Sequence, residues 1–291
     1  MVEQITPSIR RIVAPNPSPM TFTGTNTYLL GTTEIAVVDP GPDYCCHLNA
    51  IMEAITPGTH ITKILVTHSH MDHSPLARVL SQRCGAKVYA YGDSFSGRSD
   101  YMSRLAQSET IGGGEGVDEA FKPDITLQDG AKLQHDELCI TALWTPGHFS
   151  NHMAFAYGNY LFCGDHVMKW ASTMISPPDG DLLAFRHSCT HLLTRPETFY
   201  LPGHGDTIED GPSRLRWLLS HREHRETQVL AALKQQPDTA QGLTKRIYSD
   251  IDPLLIPAAT RNVLAHLIDL NVRNVVSAHG IIDLHTKYSL L

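Results

Sequence analysis

The sequence predicts a mixed α/β fold followed by a small helical appendage, and three observations carry that expectation. Short apolar, β-branched runs alternate with helical patterns over the first 211 residues, the texture of strands packed under helices. That stretch falls into two halves of like organisation, each running strands, helix, strand. From Pro212 onward the strand texture gives way to helical spacing. With 291 residues, 42% apolar and 18% charged, the chain can bury a sizeable core in one large domain or two unequal ones.

Taken in order, 28–30 and 35–38 read as paired strands around a Gly31-Thr32-Thr33 turn, and Asp39-Pro40-Gly41-Pro42 ends the second abruptly. A helix over 47–55 stops at Pro57-Gly58, a buried strand spans 61–67, a helix over 76–83 closes at Gly85, and 87–91 is a strand. Residues 93–123 hold five glycines and few apolar anchors, which predicts a long loop with one short helix, suited to a lid or substrate wall. Strands at 138–145, 153–157 and 160–163 come next, then a helix over 182–193 and a strand at 199–201. Pro212 suits the first turn of a helix reaching Gln236-Pro237. Helices near 243–248 and 257–270 and a hairpin from 272–276 to 284–290 complete the chain. The expected division is a body over 1–211 and a winged-helix-like unit over 212–291.

Charge narrows the function. The net charge is −7, split as 13 Lys/Arg against 23 Asp/Glu in 1–211 and 10 against 7 in 212–291. An acidic body with a mildly basic tail excludes a uniformly basic nucleic-acid coat. No run approaches the roughly eighteen apolar residues of a membrane helix, and the start lacks the apolar centre of a signal peptide. Six scattered cysteines without a C-x-x-C pair read as reduced thiols, so the expected location is cytoplasmic. The compositional outlier is histidine, at 17.

The histidines explain themselves by position. Thr67-His68-Ser69-His70-Met71-Asp72-His73 places four candidate ligands just past a strand end, where imidazole and carboxylate donors suit zinc and related divalent ions. One short loop cannot wrap all four groups around a single tetrahedral ion, but it can serve two neighbouring ions if distant ligands complete each set. Such ligands stand at later strand ends, each after a glycine: Gly147-His148, Gly164-Asp165 and Gly203-His204.

These ordered motifs, with Val37-Val38-Asp39-Pro40-Gly41, resemble the metallo-β-lactamase superfamily over about residues 10–210. The resemblance implies an αββα sandwich with metals at one edge. Carried over by position, His68, His70 and His148 would hold one ion, Asp72, His73 and His204 the second, and Asp165 would bridge them. No cysteine ligand is evident, because Cys163 lies two residues before Asp165. Phe22-Thr23-Gly24-Thr25-Asn26-Thr27-Tyr28-Leu29, the 163–181 stretch and Ser220-His221-Arg222-Glu223-His224-Arg225 are similar to the lactamase-β-like subfamily, which carries a winged-helix appendage and includes a mitochondrial endoribonuclease. Ser74-Pro75-Leu76 departs from the family's Ser-Gly-Gly and is expected to alter the start of the following helix.

The function so implied is that of a dinuclear zinc hydrolase (manganese or iron as other divalent choices) in which a metal-bridging hydroxide attacks an ester, thioester or lactam-like substrate. Asp72 would orient the nucleophile and shuttle a proton. Asp39 would fix a ligand imidazole, or simply end its strand. His152 either donates to the leaving group or packs on the next strand, and His166 is expected to be structural. His221 and His224, with Arg222 and Arg225 beside them, read as a solvated helix face. The alternatives are a single-stranded RNA endonuclease, motivated by that basic helix, or β-lactamase-like activity. A non-catalytic metal-binding module is disfavoured because no ligand is missing. The expected partner is a small-molecule substrate, with RNA and a homodimer through the tail as further options and no membrane.

Overall fold

The computed structural model describes residues 2–108, 110–136 and 138–291; Glu109, inside the expected long loop, lies outside them. The first sheet runs in sequence order through seven strands: β1 (Val2–Thr6), β2 (Ile9–Val13), β3 (Asn26–Leu30), β4 (Glu34–Val38), β5 (His60–Leu65), β6 (Lys87–Ala90) and β7 (Ile125–Thr126). Its first four strands pair antiparallel and the rest parallel. The second sheet contains β8 (Lys132–His135), β9 (Leu138–Trp144), β10 (Met153–Tyr157), β11 (Tyr160–Gly164) and β12 (Phe199–Pro202), in the order β12-β11-β10-β9-β8.

Alternation along each strand makes the layers. In β4, Ile35 and Val37 face α1 (Cys45–Glu53) and α2 (Leu76–Cys84), while Ala36 and Val38 face the second sheet. Phe155, Phe162 and Leu201 meet Tyr28, Leu30 and Leu65 between the sheets. On the far side of the second sheet, Leu143, Leu161 and Tyr200 pack on Phe185 and Leu192 of α4 (Leu182–Leu192). The expected αββα sandwich is therefore present, with α3 (Asp100–Ser108) as the short helix of the long loop. Pro75 precedes the first residue of α2 in helical conformation, so the departure from Ser-Gly-Gly leaves the helix intact.

The tail holds α5 (Gly211–Gln235), α6 (Ala240–Ile247), α7 (Ile256–Val272) and a small sheet of β13 (Asp238–Thr239), β14 (Val276–Ala278) and β15 (Lys287–Leu290). Asp210 caps α5 by accepting from Ser213 N at 2.9 Å. One end of α5 gives Leu215 and Leu218 to the core of the second sheet, and its other end gives Val229 and Leu233 to the tail's own core with Leu264 and Tyr288. Among the described residues, no helix is long and apolar enough to cross a membrane.

Two expectations need correction, and one pair of strands was not foreseen. Helix α7 continues to Val272, and the hairpin strand begins only at Val276, after Asn274 takes a left-handed turn at φ 55°. The amino-terminal strands β1 and β2 were masked by their charges, which pair across the ladder as Arg11 and Glu3 at 2.6 Å. Arg222 is not on a solvated face: it is 2% exposed, lies over the Phe185 ring and donates to Thr173 O and Asn262 Oδ1.

Because α5 belongs to both cores, tail and sandwich should unfold together. Leu218→Ala, which truncates a fully buried side chain, should cost about 2–5 kcal/mol. In urea, far-UV circular dichroism and tryptophan fluorescence should shift by the same amount. Two separated transitions would contradict the shared core.

Candidate metal centre

Five strand ends deliver the site to one edge of the sandwich. The loop after β5 brings His68, His70, Asp72 and His73, and it is tightened by His73 N–H donating to His70 O at 2.9 Å. His148 comes from the β9–β10 loop, Asp165 follows Gly164 at the end of β11, and His204 follows β12. Asp39 stands at the end of β4.

The seven expected ligands converge. His68 Nε2 lies 2.9 Å from His70 Nδ1, and His148 Nε2 lies 3.2 Å from the same atom. On the other side, His204 Nε2 is 3.2 Å from both Asp72 Oδ2 and Asp165 Oδ2. His73 Nε2 is 3.3 Å from Asp72 Oδ2 and 3.5 Å from Asp165 Oδ1. These atoms form three overlapping groups with donors within 4.8 Å of one another: His68, His70 and His148; His68, His73 and Asp165; Asp72, His73 and His204. Imidazole nitrogens packed this closely, around a buried Asp165 Oδ1 that accepts no hydrogen bond, fit divalent cations in the centre.

The outward nitrogens are tied down as well. Thr67 Oγ1 contacts His68 Nδ1 at 3.0 Å and donates to Asp39 Oδ2 at 2.7 Å. Asp39 also accepts from Thr67 N and lies 3.0 Å from His73 Nδ1. His148 Nδ1 donates to Met174 O at 2.7 Å, and His204 Nδ1 to Gly24 O at 3.1 Å. Each of these bonds turns the opposite ring nitrogen inward, the orientation a metal-binding histidine needs once that nitrogen carries no proton. Asp72 is steadied by Thr25 Oγ1, which donates to Oδ2 at 3.0 Å.

The two sides differ electrostatically. Burial, then neighbouring imidazoles, lower His68 well below its usual value and His70 to about 3. Burial also lowers His148, with Asp165 opposing. His73 and His204 go the other way: burial disfavours their charge, but the carboxylates of Asp72 and Asp165 outweigh it and raise His204 to about 9. Both carboxylates are held ionised by those imidazoles against the penalty of burial.

Gly203 is required by contact, since a Cβ there would collide with Asp165 Oδ1 and sit 2.7 Å from His73 Cε1. His152 is fully buried behind His68, with rings 5.2 Å apart and Nδ1 2.8 Å from Thr145 Oγ1. His166 is buried beside Phe185, its Nε2 3.5 Å from Cys189 Sγ. The Cys163 thiol, pushed up by burial, donates to Val167 O at 3.2 Å. Sequence reasoning missed Thr67 and Thr25, although both stand inside quoted motifs, and it could not see the carbonyls of Met174 and Gly24. The mouth of the site lies at the partly exposed His70 and Asp72, beside exposed Met71. Phe22 and Trp170 stack at 5.1 Å above Gly205, the residue after His204.

A sequence model described as "Metallo-beta-lactamase superfamily" matches residues 20–204, and one described as "Beta-lactamase associated winged helix domain" matches 239–283. The chain belongs to the metallo-β-lactamase superfamily. It is a hydrolase of that family with an added winged helix. The "Beta-lactamase-like protein 2 homolog" of Drosophila melanogaster is 29% identical over 286 residues, covering 92% of this chain and 89% of the fly protein. The "Atrochrysone carboxyl ACP thioesterase" of Passalora fulva is 28% identical over 271 residues, covering 89% and 72%. A crystal structure of a metallo-β-lactamase family protein from Thermus thermophilus shares the fold at TM-score 0.79 and 24% identity, over 99% of this chain and all of that one.

Asp39 orients both Thr67 and His73, so Asp39→Ala should weaken metal binding by about 10–100-fold in equilibrium dialysis. Unchanged affinity would remove it from the site.

Proposed function

We propose that this superfamily member is a dinuclear zinc hydrolase that cleaves an ester, thioester or lactam-like bond in a small substrate, with a thioester favoured. The observation that carries the reading is the overlap of the three donor groups, in which His68 and His73 each belong to two. His68, His70 and His148 would hold one ion and Asp72, His73 and His204 the other, with Asp165 between them. The donors suit zinc, and manganese or iron would be accepted by the same set. A pair of such cations supplies a lowered water pKa and stabilises the negative charge that develops on attack.

The chain's own groups supply the rest. Asp72 is ionised, with its side chain 25% exposed at the mouth, and is placed to orient the attacking water and receive its proton. His152, which has no accessible surface, is assigned to bracing His68 instead of donating to a leaving group. Met71 beside the mouth, and the Phe22–Trp170 pair against Gly205 next to His204, offer exposed apolar surface for an acyl group. That surface and the thioesterase name of one relative support the choice of thioester. The RNA reading loses one of its two motivating arginines, because Arg222 is buried.

The test is a hydrolysis panel of a thioester, a lactone, nitrocefin and a single-stranded RNA, each with and without EDTA. Thioester turnover should vanish with chelator and return with zinc. It should fall at least about a thousandfold in His68→Ala plus Asp165→Ala, as loss of several kcal/mol of charge stabilisation implies. Chelator-insensitive turnover, or activity surviving in that double variant, contradicts the proposal.

Metal uptake should also move protons. Asp72 and Asp165 raise His73 and His204 above the ordinary imidazole range, so both rings must give up a proton to bind a cation. A zinc titration in unbuffered solution at pH 7 should therefore release on the order of two protons with the ion bound by these residues. The release should shrink as the starting pH rises past about 9, where His204 already loses its proton, and affinity should rise over the same range. No release at pH 7 would contradict the charge state assigned to this side.

A further inference from the structure

His148 is not positioned by the sandwich alone. The carbonyl that receives its Nδ1–H belongs to Met174, within a segment between β11 and α4 that has no regular secondary structure over 172–176. Three side chains from the tail hold that segment on both sides of Met174. Asn262 of α7 accepts from Ile175 N at 3.1 Å. Arg222 of α5 donates to the Thr173 carbonyl and, at 3.0 Å, to the same Asn262 oxygen. Arg261 donates to Ser176 Oγ at 2.7 Å and to the Pro177 carbonyl. Arg222 is 2% exposed and Arg261 9%, and buried guanidinium groups are tolerated only when their hydrogen bonds are made. Removing the segment would strand two buried charges, so each part fixes the other.

Arg261 reaches the opposite wall as well. It donates to the Ile111 carbonyl, and the loop beyond that residue lies against the ligand cluster. There Met71 N donates to Gly116 O and Asp118 N to Ser69 O, both at 2.8 Å. The other three anchored histidines take their orientation from the sandwich itself: His68 from Thr67, His73 from Asp39 and His204 from Gly24.

We propose that Arg222, Arg261 and Asn262 are positioning residues for the metal centre, through which the C-terminal helices hold the 173–177 segment so that the Met174 carbonyl fixes the ring of His148. The inference rests on His148 being a ligand in the reading above. Loosening the clamp frees the ring to turn, and the consequence falls on the ion beside His148 and not on the ion beside His204. The winged helix thereby becomes a working part of the metal site.

The experiment tracks chelator-driven metal release from the full-length cobalt-loaded protein by its visible spectrum. The phase that His148→Ala removes reports the His148 side; if His148→Ala removes no phase, the ligand assignment falls and takes this inference with it. Asn262→Ala should speed that phase about tenfold, the effect typical of groups behind a metal ligand, and leave the other phase unchanged. Asn262→Asp, which keeps the acceptor for Ile175 N and Arg222, should bring the rate back toward that of the natural chain. Val276→Ala, buried in the tail core with its side chain making no hydrogen bond to the segment, should leave release unchanged. Arg222→Met, which removes the bonds to the Thr173 carbonyl and to Asn262, should act like Asn262→Ala and replaces it if that variant does not fold. Unchanged release on loss of the clamp, equal acceleration by Val276→Ala, or no rescue by Asn262→Asp overturns the proposal.

Discussion

The Asp165 carboxylate is buried, ionised and surrounded by imidazoles, and one of its oxygens accepts no hydrogen bond. A charge in such a place is costly unless opposite charge stands beside it. In the metal-free chain His73 and His204 supply that charge as imidazolium ions; cations between the two ligand groups would take over the same duty. Much around the site serves this one requirement. Gly203 leaves room for the carboxylate where any side chain would strike it, and parallel pairing of β11 with β12 sets Asp165 and His204 side by side. Asp39, at the end of the neighbouring sheet, steadies His73 from behind.

Legibility in the sequence depended on how local the chemistry was. Ligands compressed into His68-x-His70-x-Asp72-His73, or set after a glycine at a strand end, could be read because side-chain type and spacing carry the information. The sandwich was legible for a similar reason: β4 alternates between two buried faces, and the glycine and proline turns bound its elements. What stayed hidden depends on contacts distant in the chain. Met174 and Gly24 act through their carbonyls, which leave no trace in residue type. Arg222 looked like a solvated charge because its partners, Thr173 and Asn262, lie about 40 or more residues away. The amino-terminal strands were obscured by charges that neutralise each other across the ladder.

The tail changes meaning once its contacts are known. Its charge and helical spacing suggest an independent module placed after a catalytic body. Instead α5 spans both cores, and α7 reaches back to the segment behind His148. The tail also reaches the exposed apolar surface beside the site, because Arg214 of α5 donates to the Met168 and Ala171 carbonyls on either side of Trp170, both at 2.8 Å.

The central claim is that two cations share a cage of nitrogen and oxygen donors with Asp165 between them. X-ray absorption at the zinc edge, on protein loaded with two equivalents, tests this most directly. The account expects only nitrogen and oxygen neighbours, a strong imidazole signature and a metal–metal vector of about 3.5–4 Å. Sulfur scattering near 2.3 Å, or a spectrum with no second metal in range, would contradict it.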